Sequence, residues 1–578
     1  MVLVAGFALA LLVGVAGAAP QPVGSDFRIS NTPGDGVADR RAFQATITYN
    51  PTANEYLVVW VADGLETDDE FEIFGQRLDA TGAEIGGDFR ISNVGLEKVA
   101  NREAFEPAVT YNPTANEYLV VWVADGLETD NEFEIFGQLL DANGAEMGAD
   151  FPISNVAGVG EPAREAREPA VTYNAATNEF LVVWRADGLV NDDEFEIFGQ
   201  RLNADGTEPE GDFRISDAPD IEANRAAFEP AVTYNPATNQ YLVVWEGDDP
   251  ETAGAGEIIG KLLGAGGVDM SGDFPISDIT DVAANRDAFH PAVTYNPTAN
   301  EYLVVWEGDG LETDGEFEIF GQRLGGTGSE VREDFRISNT GADGDKEREA
   351  TRPAVTYNPT ANAYLVAWEG DGLATKEEFE IFAQLLSADG AEIGADLRIS
   401  NAGTDGDPER DAFGAALAAN PTANEYLVVW GGDGLATNDE LEIFGRRLAE
   451  PILPSSPPAG KCAGVMATKT GTAGADVIRG TAKRDVIAAL GGRDTVRSLG
   501  GNDLVCGGSG KDRIFASKGK DKLRGDAGAD RLNGGSGNDD LRGGKGRDVL
   551  KGGKGRDVLK GGPGKDVLAG GPGEDKER

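Results

Sequence analysis

The sequence contains very few of the side chains that most catalytic and metal centres use. In 578 residues there are one histidine, two cysteines and four methionines. A single histidine excludes Ser-His-Asp triads and histidine-rich zinc sites. No phosphate-binding loop, nucleophile elbow or dinucleotide-binding glycine pattern occurs in the context that it requires. We therefore expect a protein that is not an enzyme. Carboxylate-only chemistry of the glycosidase kind is the alternative, because the chain has 100 acidic residues.

Long apolar segments are missing after the first residues of the chain. Residues 1–19 are apolar and end at the small residues Ala16, Gly17 and Ala18, which predicts a cleaved secretory signal peptide. No lysine or arginine precedes this segment, and a retained membrane anchor is the alternative reading. No later stretch approaches the roughly 18 apolar residues that a membrane span needs. We expect a secreted or cell-surface protein with no membrane span in the mature chain.

The two cysteines are Cys462 and Cys506. In an exported chain they predict a disulfide that ties the segment before the C-terminal repeats onto those repeats. Two free thiols are the alternative, because neither cysteine has a recognisable redox or zinc-binding spacing.

Positive charge is scarce overall and is concentrated in the last part of the chain. The formal net charge is −50, which repels nucleic acid and attracts cations. From Gly471 onward, however, 22 Lys and Arg stand against 16 Asp and Glu. We expect two domains of different charge and no nucleic-acid partner.

Seven tryptophans mark a repeat of 61 or 62 residues. They are Trp60, Trp122, Trp184, Trp245, Trp306, Trp368 and Trp430. The unit around Trp122 contains four strand-like segments separated by turn residues, at 107–112, 117–122, 133–140 and 150–154. No ten-residue segment has a helical period. Four short strands in each of seven units resemble a seven-bladed β-propeller.

The two ends of this array complement each other. The seventh unit stops after its third strand near Glu450, whereas Asp26–Ser30 forms a fourth strand without a blade of its own. Pairing this strand with the seventh unit would close the ring and remove two exposed sheet edges. We predict an all-β fold with a seven-bladed propeller at residues 26–450. An open solenoid would give no reason for this permutation.

The connections between the second and third strands are strongly acidic, and they should share one face of the propeller. Examples are 63–70, 125–132, 187–194 and 309–316, whereas 248–257 departs from the pattern. This face is a candidate docking surface for cations, for a basic protein or for a surface glycan. The alternative is a solvated acidic surface that maintains solubility.

A second repeat follows a linker rich in proline and serine at residues 451–470. Residues 471–578 divide into twelve nonapeptides without an insertion. Position six is always Asp, position four is Gly except at Lys483, and position eight is apolar in all but the last copy. This pattern resembles the RTX, or hemolysin-type, calcium-binding repeat. The resemblance implies a parallel β-roll that binds Ca²⁺ between successive turns and is largely disordered without it.

The resemblance also implies which carboxylates bind calcium, because Ca²⁺ takes six to eight hard oxygen ligands. The candidate ligands are Asp476, Asp494, Asp503, Asp512, Asp521, Asp530, Asp539, Asp548, Asp557 and Asp566. Asp485 and Asp575 fit the pattern least well. Several early copies lack the double glycine, and basic residues often precede the aspartate. A glycine-rich coil that no longer binds metal is therefore the alternative.

Three functions are compatible with these features. The first is a secreted calcium-binding protein whose propeller serves as an interaction or adhesion module. The second is an extracellular propeller hydrolase acting on polysaccharide, with the β-roll as a calcium-dependent tag. The third is a structural component of the cell envelope. The single histidine, His290, stands where sister units have Glu106 or Glu168. We expect it in a loop, without a partner and without a catalytic role.

Overall fold

The computed structural model describes most of the chain in two compact units, Ala18–Pro451 and Ile452–Arg578. The described residues are 20–30, 41–63, 71–92, 103–125, 133–154, 165–187, 195–216, 226–248, 256–277, 287–309, 317–338, 349–371, 379–400, 411–433, 441–449, 461–463, 465–471, 476–481 and 483–577. The signal peptide predicted at 1–19 and the linker residues 451–460 lie outside them. No helix in these ranges is long and apolar enough to cross a membrane.

The first unit consists of seven antiparallel four-stranded sheets, preceded by strand β1 (Gln21–Arg28). Blade one is β2 (Ala42–Asn50), β3 (Glu55–Asp63), β4 (Phe71–Asp79) and β5 (Glu84–Arg90). Blade two is β6 (Ala104–Asn112), β7 (Glu117–Asp125), β8 (Phe133–Asp141) and β9 (Phe151–Pro152). Blade three is β10 (Ala166–Asn174), β11 (Glu179–Asp187), β12 (Phe195–Asn203) and β13 (Phe213–Arg214).

The remaining blades repeat the same order. Blade four is β14 (Ala227–Asn235), β15 (Gln240–Asp248), β16 (Gly256–Gly264) and β17 (Phe274–Pro275). Blade five is β18 (Ala288–Asn296), β19 (Glu301–Asp309), β20 (Phe317–Gly325) and β21 (Phe335–Arg336). Blade six is β22 (Ala350–Asn358), β23 (Ala363–Asp371), β24 (Phe379–Ser387) and β25 (Glu392–Arg398). Blade seven is β26 (Ala412–Asn420), β27 (Glu425–Asp433) and β28 (Leu441–Ala449), completed by β1. This architecture confirms the predicted seven-bladed propeller.

The second strand of each blade is buried on both faces, which explains its unbroken apolar sequence. In β7, every side chain from Tyr118 to Ala124 is fully buried. Trp122 packs against Leu57 and Val59 of the preceding blade. The hydrophobic core of the first unit is therefore a set of contacts between blades, and no blade can bury its Trp alone.

A buried asparagine joins each first strand to the next blade. Asn50 is fully buried, and its Oδ1 accepts hydrogen bonds from the turn amides of Thr52 and Ala53 at 2.9 and 3.0 Å. Its Nδ2 donates to Asn116 Oδ1 at 3.2 Å and to the Tyr118 hydroxyl at 3.0 Å in blade two. This arrangement both fixes the turn after the strand and connects neighbouring blades.

The ring closes through residues from both ends of the propeller sequence. Strand β1 pairs antiparallel with β28. Ser30 Oγ accepts a hydrogen bond from the Ile443 amide at 2.9 Å, as Ser92 Oγ does from the Ile73 amide at 2.8 Å within blade one. The N-terminal segment thus supplies the contacts that a contiguous fourth strand supplies elsewhere.

The second unit begins with a hairpin of β29 (Lys461–Cys462) and β30 (Val465–Met466) and continues as a parallel β-solenoid. One sheet has six strands: β32 (Val477–Arg479), β35 (Thr495–Gly500), β37 (Arg513–Lys518), β39 (Arg531–Ser536), β41 (Val549–Lys554) and β43 (Val567–Ala569). The other has eight: β31 (Lys469–Thr470), β33 (Val486–Ala488), β34 (Gly491–Gly492), β36 (Leu504–Gly510), β38 (Lys522–Gly528), β40 (Asp540–Lys545), β42 (Val558–Lys560) and β44 (Lys576–Glu577).

Each turn of this solenoid is two nonapeptides long, because residues 18 apart pair in register. The apolar residues of position eight stack inside it, from Ile487 to Leu559. These observations confirm the predicted β-roll. Cys462 and Cys506 form a disulfide that connects the hairpin to the eight-stranded sheet.

We expect Ser30→Ala to destabilise the propeller as much as Ser92→Ala does. Each substitution leaves a buried amide without its side-chain acceptor, which costs about 1–3 kcal/mol. Because all seven tryptophans lie in the blades, denaturant unfolding followed by tryptophan fluorescence reports on the propeller alone. An unchanged midpoint for Ser30→Ala beside a lowered midpoint for Ser92→Ala would mean that β1 does not complete blade seven in solution.

Candidate functional site

The position-six aspartates of the β-roll form two ladders, one along each row of loops. In each ladder the backbone amide of one aspartate donates to Oδ1 of the aspartate one turn later, at 2.8–3.0 Å. The first ladder is Asp476, Asp494, Asp512, Asp530, Asp548 and Asp566. The second is Asp485, Asp503, Asp521, Asp539, Asp557 and Asp575. The structure therefore groups all ten candidate ligands, six in the first ladder and four in the second, where Asp485 and Asp575 occupy the two ends.

In most of these aspartates the second carboxylate oxygen, Oδ2, accepts no hydrogen bond from the described residues. Oδ2 is buried and has no hydrogen-bond partner among the described residues in Asp494, Asp512, Asp521, Asp530, Asp539, Asp548 and Asp557. Burial raises the pKa of Asp530 to about 7, and the carboxylates of Asp512 and Asp548 on the adjacent turns add to the rise. Burial likewise raises the pKa of Asp494 and Asp521 to about 6. Rows of buried carboxylates with free oxygens favour neutralisation, either by a bound counter-ion or by protonation.

The glycine at position one leaves room for oxygens to converge on each free Oδ2. A Cβ placed on Gly525 would lie 2.5 Å from Asp530 Oδ2 and 2.6 Å from the carbonyl oxygen of Gly543 on the next turn. Gly543 has the same surroundings, with Asp548 Oδ2 at 2.5 Å and the Gly561 carbonyl oxygen at 2.7 Å. This donor set of carboxylate and carbonyl oxygens suits calcium.

The calcium ligands would come mostly from the backbone. Within the described residues, no three His, Cys, Asp or Glu side chains converge in a metal-binding group. Calcium sites that combine one carboxylate with several carbonyl oxygens are consistent with this finding. The residues present therefore fit calcium and do not fit a zinc-type site.

The candidate sites are not equivalent. Position one is Gly beside nine of the twelve aspartates. Asp476 and Asp485 have interactions of their own and Asp575 lies in the last coil. Six open cradles remain, at Asp512, Asp530, Asp539, Asp548, Asp557 and Asp566. Ala489, Ser498 and Ala516 instead place a side chain beside Asp494, Asp503 and Asp521. At Asp485, Oδ2 accepts a hydrogen bond from the Thr481 amide at 2.7 Å. The early nonapeptides that lack glycine at position one thus have a side chain next to the aspartate. At Asp485, the oxygen that would bind calcium is already used in a hydrogen bond.

The propeller's acidic connections lie mostly outside the described residues, at 64–70, 126–132, 188–194 and 310–316. Their first aspartates are described in three of the four. Asp63, Asp187 and Asp309 are at most 7% exposed, and Asp63 Oδ2 accepts a hydrogen bond from the Arg41 amide at 2.9 Å. The predicted surface of solvated carboxylates therefore does not include these first residues, which are buried in the blades.

A polar ring that the sequence analysis missed surrounds the propeller axis. One residue in each first strand lies at a bulge with positive φ between 49° and 66°. The seven are Gln44, Glu106, Glu168, Glu229, His290, Arg352 and Gly414. The first strands of successive blades lie against one another around the ring, so these residues gather near one end of the central channel.

The ring carboxylates mostly accept hydrogen bonds from the backbone of the next blade. Gln44 Oε1 accepts from the Glu106 amide at 3.1 Å, and Glu106 Oε2 accepts from the Glu168 amide at 2.7 Å. In blades five and six, the ring position is His290 or Arg352, which lacks an acceptor oxygen. There Glu307 and Glu369, each one residue after a blade tryptophan, accept from the next blade instead, at 3.1 and 2.6 Å.

The prediction that His290 occupies a loop and has no partner is wrong. His290 lies in β18, with Nε2 3.3 Å from Glu229 Oε1 and Nδ1 2.9 Å from Glu307 Oε2. Burial lowers the pKa of His290, but the hydrogen bond to Glu307 and the charge of Glu229 outweigh it and raise the pKa above its ordinary value. The imidazole therefore bridges two carboxylates, and both favour its protonated form.

Glu246 differs from the carboxylates of the polar ring and from Glu307 and Glu369. It follows Trp245, as Glu307 follows Trp306, yet its carboxylate has no hydrogen bond or ion pair with the described residues. Burial raises the pKa of Glu246 to about 7, repulsion from Glu229 adds to the rise, and the charge of His290 opposes it. A half-buried carboxyl that titrates near neutral pH has the properties of an acid–base group.

Reading one repeat position across all seven units would have pointed to this cluster. The residue after each tryptophan is Val61, Val123, Arg185, Glu246, Glu307, Glu369 and Gly431. These seven residues differ in size and charge, so they do not all serve the same packing role. The tryptophan before them is the same in every unit, as a residue of the blade core would be. Arg185 adds to the cluster, because its Nη2 lies 3.4 Å from Glu168 Oε1.

Solved structures are similar to this chain at low sequence identity. The β-propeller domain of the trilobed protease from Pyrococcus furiosus is 9% identical, with a TM-score of 0.40 over 70% of this chain and 93% of that one. An α-L-arabinofuranosidase from Fusarium graminearum is 12% identical, with a TM-score of 0.38 over 75% and 98%. A Penicillium chrysogenum α-L-arabinanase complexed with arabinobiose is 14% identical, with a TM-score of 0.39 over 60% and 93%.

The prediction that the protein is not an enzyme is corrected on this finding. Several of the similar structures are glycoside hydrolases: an arabinofuranosidase, an arabinanase and a galactosidase. The likeness concerns the fold alone, and it assigns no reaction or substrate to this chain. No curated protein sequence matches the chain closely enough to count as a relative.

The nonapeptides match a family model. The model of the RTX calcium-binding nonapeptide repeat, four copies long, matches residues 470–505, 507–541 and 542–576. All three matches lie in the β-roll, and they include the two aspartate ladders. The C-terminal region of the chain therefore belongs to the RTX calcium-binding nonapeptide repeats.

Proposed function

We propose that the protein is exported and that its β-roll folds around calcium ions outside the cell. The observation that carries this proposal is the row of buried, unpartnered Oδ2 atoms along the aspartate ladders. Without a cation these carboxylates repel one another, and each coil buries too little apolar surface to compensate. Calcium, when bound, supplies the positive charge that neutralises the ladders.

The ten candidate aspartates remain our proposed ligands, with those in the six open cradles as the strongest. Calcium modules in extracellular proteins often bind at roughly 10⁻⁴–10⁻³ M, and coupled folding would then follow export. The proposed division is a signal peptide at 1–19, a propeller at 26–450, a linker at 451–470 and the β-roll at 471–578. The apolar N-terminal segment supports export.

We propose as a second function that the propeller hydrolyses polysaccharide, and the observation that favours it is Glu246. A carboxyl with a pKa near 7 can donate its proton to a glycosidic oxygen as the bond to the anomeric carbon breaks. A neighbouring carboxylate such as Glu229 can accept the proton of the water that adds to that carbon. His290 would hold Glu229 and Glu307 in place. The interaction-module hypothesis, in contrast, depends mainly on loops outside the described residues.

Calcium should protect the backbone amides of residues 483–577 from hydrogen exchange in the full-length protein, while magnesium should not. The expected change is a cooperative loss of exchange across the β-roll, with the blades unaffected. Hydrogen exchange read by mass spectrometry locates the effect within the intact chain.

A pair of double variants tests the role of the ladders. Asp512→Asn with Asp530→Asn should raise the calcium concentration at half-protection at least about tenfold, a loss of roughly 1.4 kcal/mol. Asp540→Asn with Glu574→Gln should leave it nearly unchanged, because both side chains lie outside the ladders: Asp540 pairs with Arg542, and Glu574 is exposed. Equal protection with calcium and magnesium, or equal effects of the two double variants, would refute the calcium proposal.

Glu246→Gln should lower polysaccharide hydrolysis by about 10²–10⁴-fold, the usual contribution of a general acid. Glu106→Gln is the matched control, because Gln44 already makes the same ring hydrogen bond with an amide oxygen. Release of reducing ends from a panel of neutral and acidic polysaccharides measures the activity. Full activity in Glu246→Gln, or no hydrolysis of any polysaccharide by the parent protein, would refute the channel as a glycosidase site.

A further inference from the structure

One face of the β-roll is basic and contains no acidic residue. The four central strands of the six-stranded sheet carry six exposed cations, Arg497, Arg513, Lys518, Arg531, Lys551 and Lys554. The same strands contain no Asp or Glu. We call the outer surface of these strands the basic face. Within the described part of the chain, none of its cations forms an ion pair.

The opposite sheet shows what internal neutralisation would look like. In β38 the Arg524 guanidinium lies 2.9 Å from Asp526 Oδ1, and in β40 the Arg542 guanidinium lies 3.0 Å from Asp540 Oδ2. The eight-stranded sheet thus places acidic side chains beside its arginines. The absence of acids from the basic face is therefore a property of that sheet and does not follow from the nonapeptide pattern.

The cations of the basic face are held close together by the strand pairing. Arg513 lies directly beside Arg531 in register, and Lys518 and Lys554 flank Ser536. Neighbouring parallel strands lie about 4.8 Å apart, and like charges at such positions destabilise a sheet. The ladder carboxylates do not offset this charge at the surface, since they are buried and calcium would neutralise them.

We propose that the basic face binds a linear polyanionic polysaccharide, one whose sugars carry carboxylate or sulfate groups. A row of cations at strand spacing is complementary to an extended polymer that carries a charge on successive sugars. Phe515, 37% exposed, lies in register between Arg497 and Asn533. An aromatic ring, an amide and adjacent cations are groups that contact the face, hydroxyls and acid groups of a sugar.

Polysaccharide fits the face better than nucleic acid or a lipid surface does. Proteins that bind single strands stack successive bases on several aromatic rings, and Phe515 is the one aromatic residue in these four strands. Membrane-surface binding relies on a large apolar face beside the cations. The exposed apolar residues here are Phe515 and Val549, which are too few for such a face.

The inference rests on the proposed function in one respect, because the basic face exists only when the β-roll is folded. Calcium should therefore control polysaccharide binding. Hydrogen exchange of residues 483–577 reports folding separately, so a failure of calcium-dependent folding is distinguishable from a failure of the basic face.

The test measures binding of fluorescent chondroitin sulfate to the full-length protein with calcium or with magnesium, at about 50 mM salt. Neutral dextran, a single-stranded DNA oligonucleotide and vesicles of anionic phospholipid are the comparison ligands. The face variant is Arg513→Gln, Arg531→Gln and Lys551→Gln. The control variant removes the same charge from the opposite sheet, by Lys522→Gln, Lys545→Gln and Lys560→Gln.

We expect calcium-dependent binding of chondroitin sulfate that the face variant weakens at least about tenfold and the control variant changes less than about threefold. Both variants should retain calcium-induced protection from exchange. No binding by the folded protein, equal losses in the two variants, or tighter binding of the oligonucleotide or the vesicles would overturn the proposal.

Discussion

Both units of this protein depend on a buried polar side chain that only the next repeat can satisfy. In the propeller it is Asn50 and its counterparts, whose amides reach the following blade; around the ring, Asn420 Nδ2 donates to Asn54 Oδ1 at 3.1 Å. In the β-roll it is the position-six aspartate, whose Oδ1 accepts the amide of the preceding turn. Removing one repeat would therefore leave a buried group unpaired, which costs more than the contact contributes when made. This constraint couples the repeats and sets their order.

The two units differ in what remains after that pairing. The asparagine is neutral, and both Oδ1 and Nδ2 of Asn50 find partners within the ring. An aspartate keeps a second oxygen and a charge, and at Asp530 both are buried. The aspartate ladders therefore favour a bound cation, whereas the asparagine links between blades carry no charge. The carboxylates near the propeller axis differ in the same way. Glu307 and Glu369 accept hydrogen bonds from backbone amides of the next blade, whereas Glu246 accepts none from the described residues and has a raised pKa.

Periodic features could be predicted from the sequence because repetition multiplies a weak signal. The tryptophan spacing and the invariant aspartates led to both folds, and the resemblance of the nonapeptides led to calcium. Features that break the period were missed. His290 looked like a loop substitution because its bulge, with φ of 52°, lies inside a strand. The partners Glu229 and Glu307 belong to different strands, so only the closed ring brings them together. Four fourth strands are just two residues long, which composition does not reveal.

The central claim is that leftover ladder oxygens bind calcium, and counting the bound ions tests it most directly. Flow dialysis of the full-length protein with radioactive calcium, in excess magnesium to suppress loose binding by the acidic surface, gives the number of ions per chain. The account predicts about six, one for each open cradle from Asp512 to Asp566. Fewer than two ions at millimolar free calcium would contradict it, since the ladders would then be buried carboxylates without a counter-ion.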